Sequence, residues 1–326
     1  MAAAPEPTVD GLLGGLVICF CFVFMLYGVT VTQSYVYMLN CKDDPKWMKL
    51  LVATVLILES LHSAFAMRFL YYSVIIAFGS VELVGQIDWS LGPVILLENA
   101  IVAAVEGFFI RRMWILSNHS YVLTFGTAFL LCARIGCHTT AAVFALTSGT
   151  WADFQAAPGP NITVEVSNAL SAAVDAIIAT SMIYYLHRGQ SGQARTDGVV
   201  KWLMSYAINS GAMMMIVSLA IAITYVKVKE SLLFLGLVMI VSKLYANSLL
   251  GTLNARQLLR SKTARAAGVG GSSRSNAYEL SKIQVTSSGQ MRPIEIYREK
   301  TQVTDAVAPF EDDELSQGKQ PSLNPV

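Results

Sequence analysis

Charge is scarce in this chain. Only 14% of its 326 residues are Asp, Glu, Lys or Arg, against roughly 25% in an ordinary soluble domain. Hydrophobic residues make up 54%, and the mean hydropathy is +0.52. A water-soluble fold is the poorer hypothesis on those figures. The net charge of +1 says nothing about partners, because it averages over strongly segregated charges. No Lys or Arg precedes the first apolar run, which continues from about Gly11 to Met38 without a charged side chain. A cleavable signal peptide needs a basic leader and an apolar core of about 7–15 residues, so this run is expected to be retained as a span. Cysteine is also sparse. Cys19, Cys21, Cys132 and Cys137 fall inside apolar runs and Cys41 at the end of the first, so no exterior disulfide can be drawn. Beside Lys42, Cys41 reads as a free thiol or a palmitoylation site, the free thiol being simpler.

Catalytic signatures are missing as well. The four histidines, His62, His119, His138 and His187, include no HxxxH or HExxH spacing that would hold a metal on one helix face. The short polar connections contain no GxSxG elbow, phosphate-cradling glycine loop or dinucleotide fingerprint, and they are too short to house a catalytic domain. The expectation is a non-enzyme with no cofactor, no metal and no nucleic-acid partner. Met213, Met214 and Met215 read as packing rather than as a soft-metal site.

What is present is a series of long apolar runs. Seven reach spanning length, at roughly 20 residues per span: about Gly11–Met38, Trp47–Tyr72, Leu91–Ile115, Tyr121–Thr147, Val164–His187, Trp202–Tyr225 and Leu232–Arg256. A lipid-embedded β-barrel would show alternating ten-residue segments instead. The predicted fold is all-α, a seven-transmembrane bundle over 11–260. Residues 1–10 precede it, and a tail over 261–326 has the composition of a disordered segment. The connections after spans one, three and five, with the start of the tail, hold Lys42, Lys46, Lys49, Arg111, Arg112, Arg188, Arg195, Lys201, Arg260, Lys262 and Arg265. The opposite side holds Lys227 and Lys229. That bias predicts the N-terminus outside and the C-terminus cytosolic. Asn161-Ile162-Thr163, a glycosylation pattern, falls in the fourth connection on the predicted exterior side, whereas Asn118-His119-Ser120 falls on the cytosolic side and is expected to be unmodified. Arg256, Arg260, Lys262 and Arg265 form a juxtamembrane basic cluster suited to anionic lipid or to stopping transfer.

Within the spans lie Glu59, His62, Arg68, Glu98, Glu106, Arg134, His138, Asp175 and Lys243. Each mid-span charge costs roughly 2.5–3.5 kcal/mol on insertion scales, so such groups are expected to face the bundle interior. Counting inward from the segment ends puts Glu59, Arg134, Asp175 and Lys243 near the midplane, Glu98 closer to the exterior and Glu106 closer to the cytosol. Lys243, Asn247 and Asn254 recur at spacings of four and seven, within about 40° of each other on one face. Glu59 with His62, and Arg134 with His138, likewise share helix faces. Together Glu59, His62, Glu98, Arg134, Asp175, Lys243, Asn247 and Asn254 form a candidate midplane network, with Asp175 or Glu59 the expected partner of Lys243. It reads either as a polar cavity for a ligand, ion or proton, or as a neutral network that fixes packing. A mid-span lysine in a seventh span also invites a retinal Schiff base. The third span lacks a paired-carboxylate pocket pattern for that, and a buried ion pair is the plainer assignment.

Several motifs carry a resemblance: Phe109-Ile110-Arg111-Arg112-Met113-Trp114-Ile115-Leu116-Ser117, Ser171-Ala172-Ala173-Val174-Asp175, Tyr184-Tyr185-Leu186, Arg195-Thr196-Asp197, and the run from Ser242-Lys243-Leu244-Tyr245-Ala246-Asn247 through Asn254-Ala255-Arg256. Together they resemble a seven-span integral membrane family expanded in mushroom-forming basidiomycete fungi and known only as a domain of unknown function. Gly251 stands where that family usually has alanine. The resemblance implies receptor-like topology in a plasma membrane or endomembrane, and it implies no ligand, reaction or coupling partner. The reading that follows is a receptor-like sensor in the lipid bilayer, in which a small-molecule or lipid ligand reaches the midplane and basic loops and tail report to a cytosolic effector. A proton-linked carrier and a structural scaffold are the alternatives. No repeat or broken helix favours the carrier.

Overall fold

A computed structural model of the chain describes residues 9–41, 43–188, 194–228 and 231–266, with side chains over 11–41, 43–188, 211–228 and 231–256. The predicted exterior segment before residue 9, and the predicted tail beyond residue 266, lie outside the described residues. The elements are α1 (Val9–Asn40), α2 (Lys46–Tyr71), α3 (Val81–Val84), α4 (Leu91–Leu116), α5 (Tyr121–Ser148), α6 (Trp151–Ala156), α7 (Pro158–Arg188), α8 (Ala194–Lys227) and α9 (Leu233–Ala266). Among the described residues there is no strand, only an isolated bridge between Gln86 and Thr150.

Six helical stretches are long and apolar enough to cross a bilayer: Gly11–Asn40, Lys46–Ile76, Leu91–Leu116, Tyr121–Ser148, Pro158–Arg188 and Leu233–Arg256. In α8 the described apolar part is the shorter Gly211–Lys227. Helix is the required solution for such sequences, since every backbone N–H and C=O inside lipid must find an internal partner. Their outer faces stay apolar: Ile18, Phe22, Leu50, Ile57, Phe125 and Phe129 are all exposed on the protein surface. At its end α2 widens into a π turn at Tyr72–Ile76 before Gly79, at φ +76°, redirects the chain.

Lipid is as apolar as leucine, so the helices are held together by close packing and polar contacts rather than by apolar burial. The most extensive contact is between α1 and α9. The two run parallel in constant register: the Leu232 N–H donates to the Leu12 carbonyl, Gly236 lies on Cys19, Asn247 reaches Leu26, and Asn254 reaches Gln33. A side chain at 236 would bring its Cβ to 2.6 Å from the Cys19 Cβ, so glycine is what allows this approach. By contrast, α2 runs antiparallel to α9, with Met48 beside Arg256 and Ser63 beside Lys243. Asn161 meets Tyr225 and Ala179 faces Gly211, so α8 runs antiparallel to α7.

At one end of the bundle the connections are stitched together. Ile87 N–H donates to the Gly149 carbonyl and Trp151 N–H to the Gly85 carbonyl, both at 2.9 Å. Thr150 caps α6 by accepting from Asp153 N–H at 3.1 Å. Beneath them Trp151 stands edge-on to Phe154 and Phe234. At the other end Arg256 of α9 donates to both Asp44 oxygens at 2.8 Å, and the Tyr37 hydroxyl donates to Asp44 at 3.0 Å. The Arg111 guanidinium lies 4.4 Å from the Trp47 ring centroid.

Two sequence boundaries change. The fifth span begins at Pro158 rather than near Val164, because Pro158 and Pro160 suit the first helical turn, where the missing N–H is no loss. Asn161 is therefore helical instead of lying in a loop. The last helix continues to Ala266, past the expected domain end at 260.

Candidate functional site

An ionised group in the middle of a bundle must be paired or solvated, and the interior charges divide into three clusters instead of one network. In the first, Lys243 of α9 is wholly buried against α2. Its ammonium pairs with the Glu59 carboxylate, donates to Ser63 Oγ at 2.9 Å, and approaches His62 Nδ1 at 3.1 Å and the Glu59 carbonyl at 3.4 Å. The Tyr27 ring lies 5.5 Å from Nζ, and its hydroxyl bonds Ser60 at 2.8 Å. Glu59, His62 and Ser63 converge because positions three and four apart share a helix face. With the ammonium donating to it, His62 Nδ1 is the acceptor and Nε2 carries the hydrogen. Neither His62 Nε2 nor Glu59 Oε1 has a partner among the described residues. An ammonium engaged on every side is an ion pair, and this geometry leaves no free amine for a chromophore.

Asn247 and Asn254 do not join that cluster. Asn247 Nδ2 donates to the Leu26 carbonyl at 3.1 Å and to the Lys243 carbonyl at 2.9 Å, and Asn254 Nδ2 to the Gln33 carbonyl at 2.9 Å. Leu26 and Gln33 are seven apart, as are the two asparagines. The expected polar stripe into a cavity is instead a pair of rungs binding α9 to the α1 backbone.

The second cluster holds Glu98 and Asn99 of α4 with Arg134 and His138 of α5. Asn99 Oδ1 accepts from His138 Nδ1–H at 3.0 Å, and its Nδ2 donates to Thr139 at 3.3 Å. Glu98 Oε2 and Arg134 Nη1 are buried without partners, and no ion pair within 4.0 Å joins them among the described residues. Both line a void of about 20 Å³ that also touches Ser167, Asn168 and Ser171 of α7, room for about one water.

Asp175, offered by the sequence as a partner for Lys243, belongs to a third cluster. It accepts from the Tyr245 hydroxyl at 2.7 Å. Residues 243 and 245 are about 200° apart on α9, so their side chains leave opposite faces, and only the packing of α7 shows which one Asp175 meets. Glu106, like His138 of the second cluster, is absent from the network drawn from sequence. It is wholly buried, and neither carboxylate oxygen has a partner among the described residues. Asp175, Tyr245, Ser248, Thr252, Glu106 and Arg112 all line a void of about 40 Å³. One signal was available: Tyr245, Ser248 and Thr252, at spacings of three and four, form a second polar face of α9.

Outside these clusters, Arg68 sits near the end of α2, 3.5 Å from Asp88 and stacked toward Tyr72 and Trp89. The glycosylation candidate Asn161 donates to the Gln155 carbonyl at 2.9 Å and accepts from the Tyr225 hydroxyl at 2.6 Å, so both of its amide atoms are engaged in packing. Cys41 is buried, and burial with the nearby Asp44 carboxylate pushes its thiol above the ordinary value. A larger cavity of about 550 Å³ follows the apolar faces of α7 and α8, lined by Ala169, Ala172, Ile216 and Leu219. Asn168 and Ser218 line both it and the void at Arg134.

Residues 171–258 match the profile of a family of unknown function (DUF6534). That stretch holds Asp175 and, on α9, Lys243, Tyr245, Asn247, Ser248, Thr252 and Asn254, and excludes Glu59, Glu98, Glu106 and Arg134. No curated protein and no solved structure matches the chain.

Proposed function

We propose that the protein is a seven-span, receptor-like membrane sensor, non-enzymatic, with its N-terminus outside and its tail in the cytosol. Its interior responds to protons or small cations with their water. The parallel register of α1 and α9 supports the span count: helices that point the same way are separated by an odd number of crossings, and α2, α4, α5 and α7 are four. A crossing by α8 makes the fifth. The loop bias of Lys and Arg supports the orientation. The observation that carries the sensing role is the set of buried, unpartnered charged atoms of Glu98, Glu106 and Arg134 around water-sized voids. A network serving only to pack helices would satisfy these atoms, since each one left unmade costs about 1–3 kcal/mol. Organic ligands occupy cavities of about 300–1,000 Å³; the cavity of about 550 Å³ along α7 and α8 touches none of these three residues, and the voids that do touch them, of about 40 and 20 Å³, favour a proton or an inorganic ion as the stimulus.

A proton-linked carrier rests on the same acids, and one experiment separates the readings. Protein in liposomes is followed by hydrogen exchange as external pH and cation are varied, with flux recorded by an entrapped indicator. A sensor changes the protection of α4, α7 and α9 without net flux. Stoichiometric flux would replace the sensor with a carrier, and protection indifferent to both variables would leave a scaffold.

A further inference from the structure

Among the described residues, interior acids outnumber interior bases. Glu59, Glu98, Glu106 and Asp175 contribute four carboxylates, against Lys243, Arg134 and the half-buried Arg112. With the histidines neutral and every carboxylate ionised, one positive charge would be missing. Lys243 is committed to Glu59, whereas Arg134, beside the void it shares with Glu98, also acts on Glu106 and Asp175, so these three acids share the charges of Arg134 and Arg112.

That cluster has the donors of a cation site. Glu106 is wholly buried, lines the void beside Tyr245, and presents two carboxylate oxygens with no hydrogen bond of good geometry among the described residues. Asp175 adds a second carboxylate, held in place by the Tyr245 hydroxyl at 2.7 Å. Ser248 and Thr252 complete the wall. Some buried hydroxyls in the spans donate back to the carbonyl four residues earlier, as Thr30, Ser63, Ser73 and Thr127 do, whereas Ser34 and Ser242 do not. Among the described residues Ser248 and Thr252 make no such bond, so their oxygens remain free to face the void. All the donors are oxygen, the set that hard cations prefer. The space of about 40 Å³ exceeds that of one water by about three- to fourfold, enough for a small ion that keeps some of its hydration.

We propose that the cavity bounded by Glu106, Asp175, Tyr245, Ser248 and Thr252 binds one partly hydrated alkali-metal cation of sodium size. The ion joins α4, which carries Glu106, to α7 and α9, and thereby couples site occupancy to helix packing. The inference rests on the sensor reading above and names its stimulus. A single charge suits the deficit of one, whereas a divalent ion would reverse it.

The test uses the full chain in nanodiscs of zwitterionic lipid, with NaCl exchanged for choline chloride at constant ionic strength and melting followed by tryptophan fluorescence. The melting temperature should rise with sodium and saturate, because a ligand bound only by the folded state stabilises it in proportion to its occupancy. Glu106→Gln should melt at the same temperature in both salts. Thr252→Val and Ser248→Ala, which retain both carboxylates, should move the sodium midpoint several-fold upward, and they keep the test decisive if Glu106→Gln does not fold. A wild type that melts identically in sodium and choline overturns the site, as does an undiminished sodium response in folded Glu106→Gln. If sodium has no effect while hydrogen exchange still follows pH, the site falls and the sensor reading stands; indifference to both removes both.

Discussion

Replacing Lys243 with methionine isolates the energetics of the first cluster. The substitution keeps the volume and removes the ammonium, leaving the Glu59 carboxylate without its cation and His62 Nδ1 without its donor in a fully buried site. Breaking a buried pair from one side costs about 3–5 kcal/mol, roughly two to four powers of ten in the folding equilibrium. Ser63 is insulated from the loss, because its hydroxyl also donates to the Glu59 carbonyl at 2.8 Å. Changing Glu59→Leu together with Lys243→Met removes both charges and should recover most of the stability, since apolar replacement of a buried pair is often neutral. A residual deficit of about 1–3 kcal/mol should remain from the orphaned His62 nitrogen. His62→Phe added to the pair should reduce it. The assay is reversible unfolding in mixed micelles, with all three variants compared in a double-mutant cycle. The reasoning is refuted if Lys243→Met is as stable as the wild type, or if the double variant is no more stable than either single.

Three further outcomes follow from the packing. Asn247→Leu and Asn254→Leu should each cost about 0.6 kcal/mol and at most about 1.7, the range for interhelical hydrogen bonds in membranes. Being two turns apart, their costs should add in the same unfolding assay. Gly236→Ala should destabilise by about 1–3 kcal/mol through overpacking, because its Cβ would sit 2.6 Å from the Cys19 Cβ; Cys19→Gly should relieve it, whereas Cys19→Ala, which keeps that carbon, should not. The Cys41 thiol is held protonated by burial and by Asp44, so maleimide should label it slowly at neutral pH in the folded protein and readily after unfolding. A raised thiol pKa gives stability that is present below the ordinary thiol range and declines as pH rises through it; Cys41→Ser should flatten stability against pH between about 8 and 10.

The sequence by itself determined the helical class, the places of six apolar spans and the inward direction of the ionisable residues, all for one reason. Lipid penalises unpaired backbone and exposed charge so heavily that composition along the chain is enough. Spacing also identified which residues share a helix face, and hence that Glu59 and His62 act together. Which faces meet is a property of helix rotation and register, and these depend on close contacts such as Gly236 against Cys19, which hydropathy does not encode. The tertiary structure therefore decided that Lys243 takes Glu59 while Asp175 takes Tyr245, and that Asn247 and Asn254 bind the α1 backbone. It also brought Glu106 from α4 to a void shared with α7 and α9. Residues 69 and 146 positions distant from Glu106 meet it there, and no periodicity along one helix reports a distance between three.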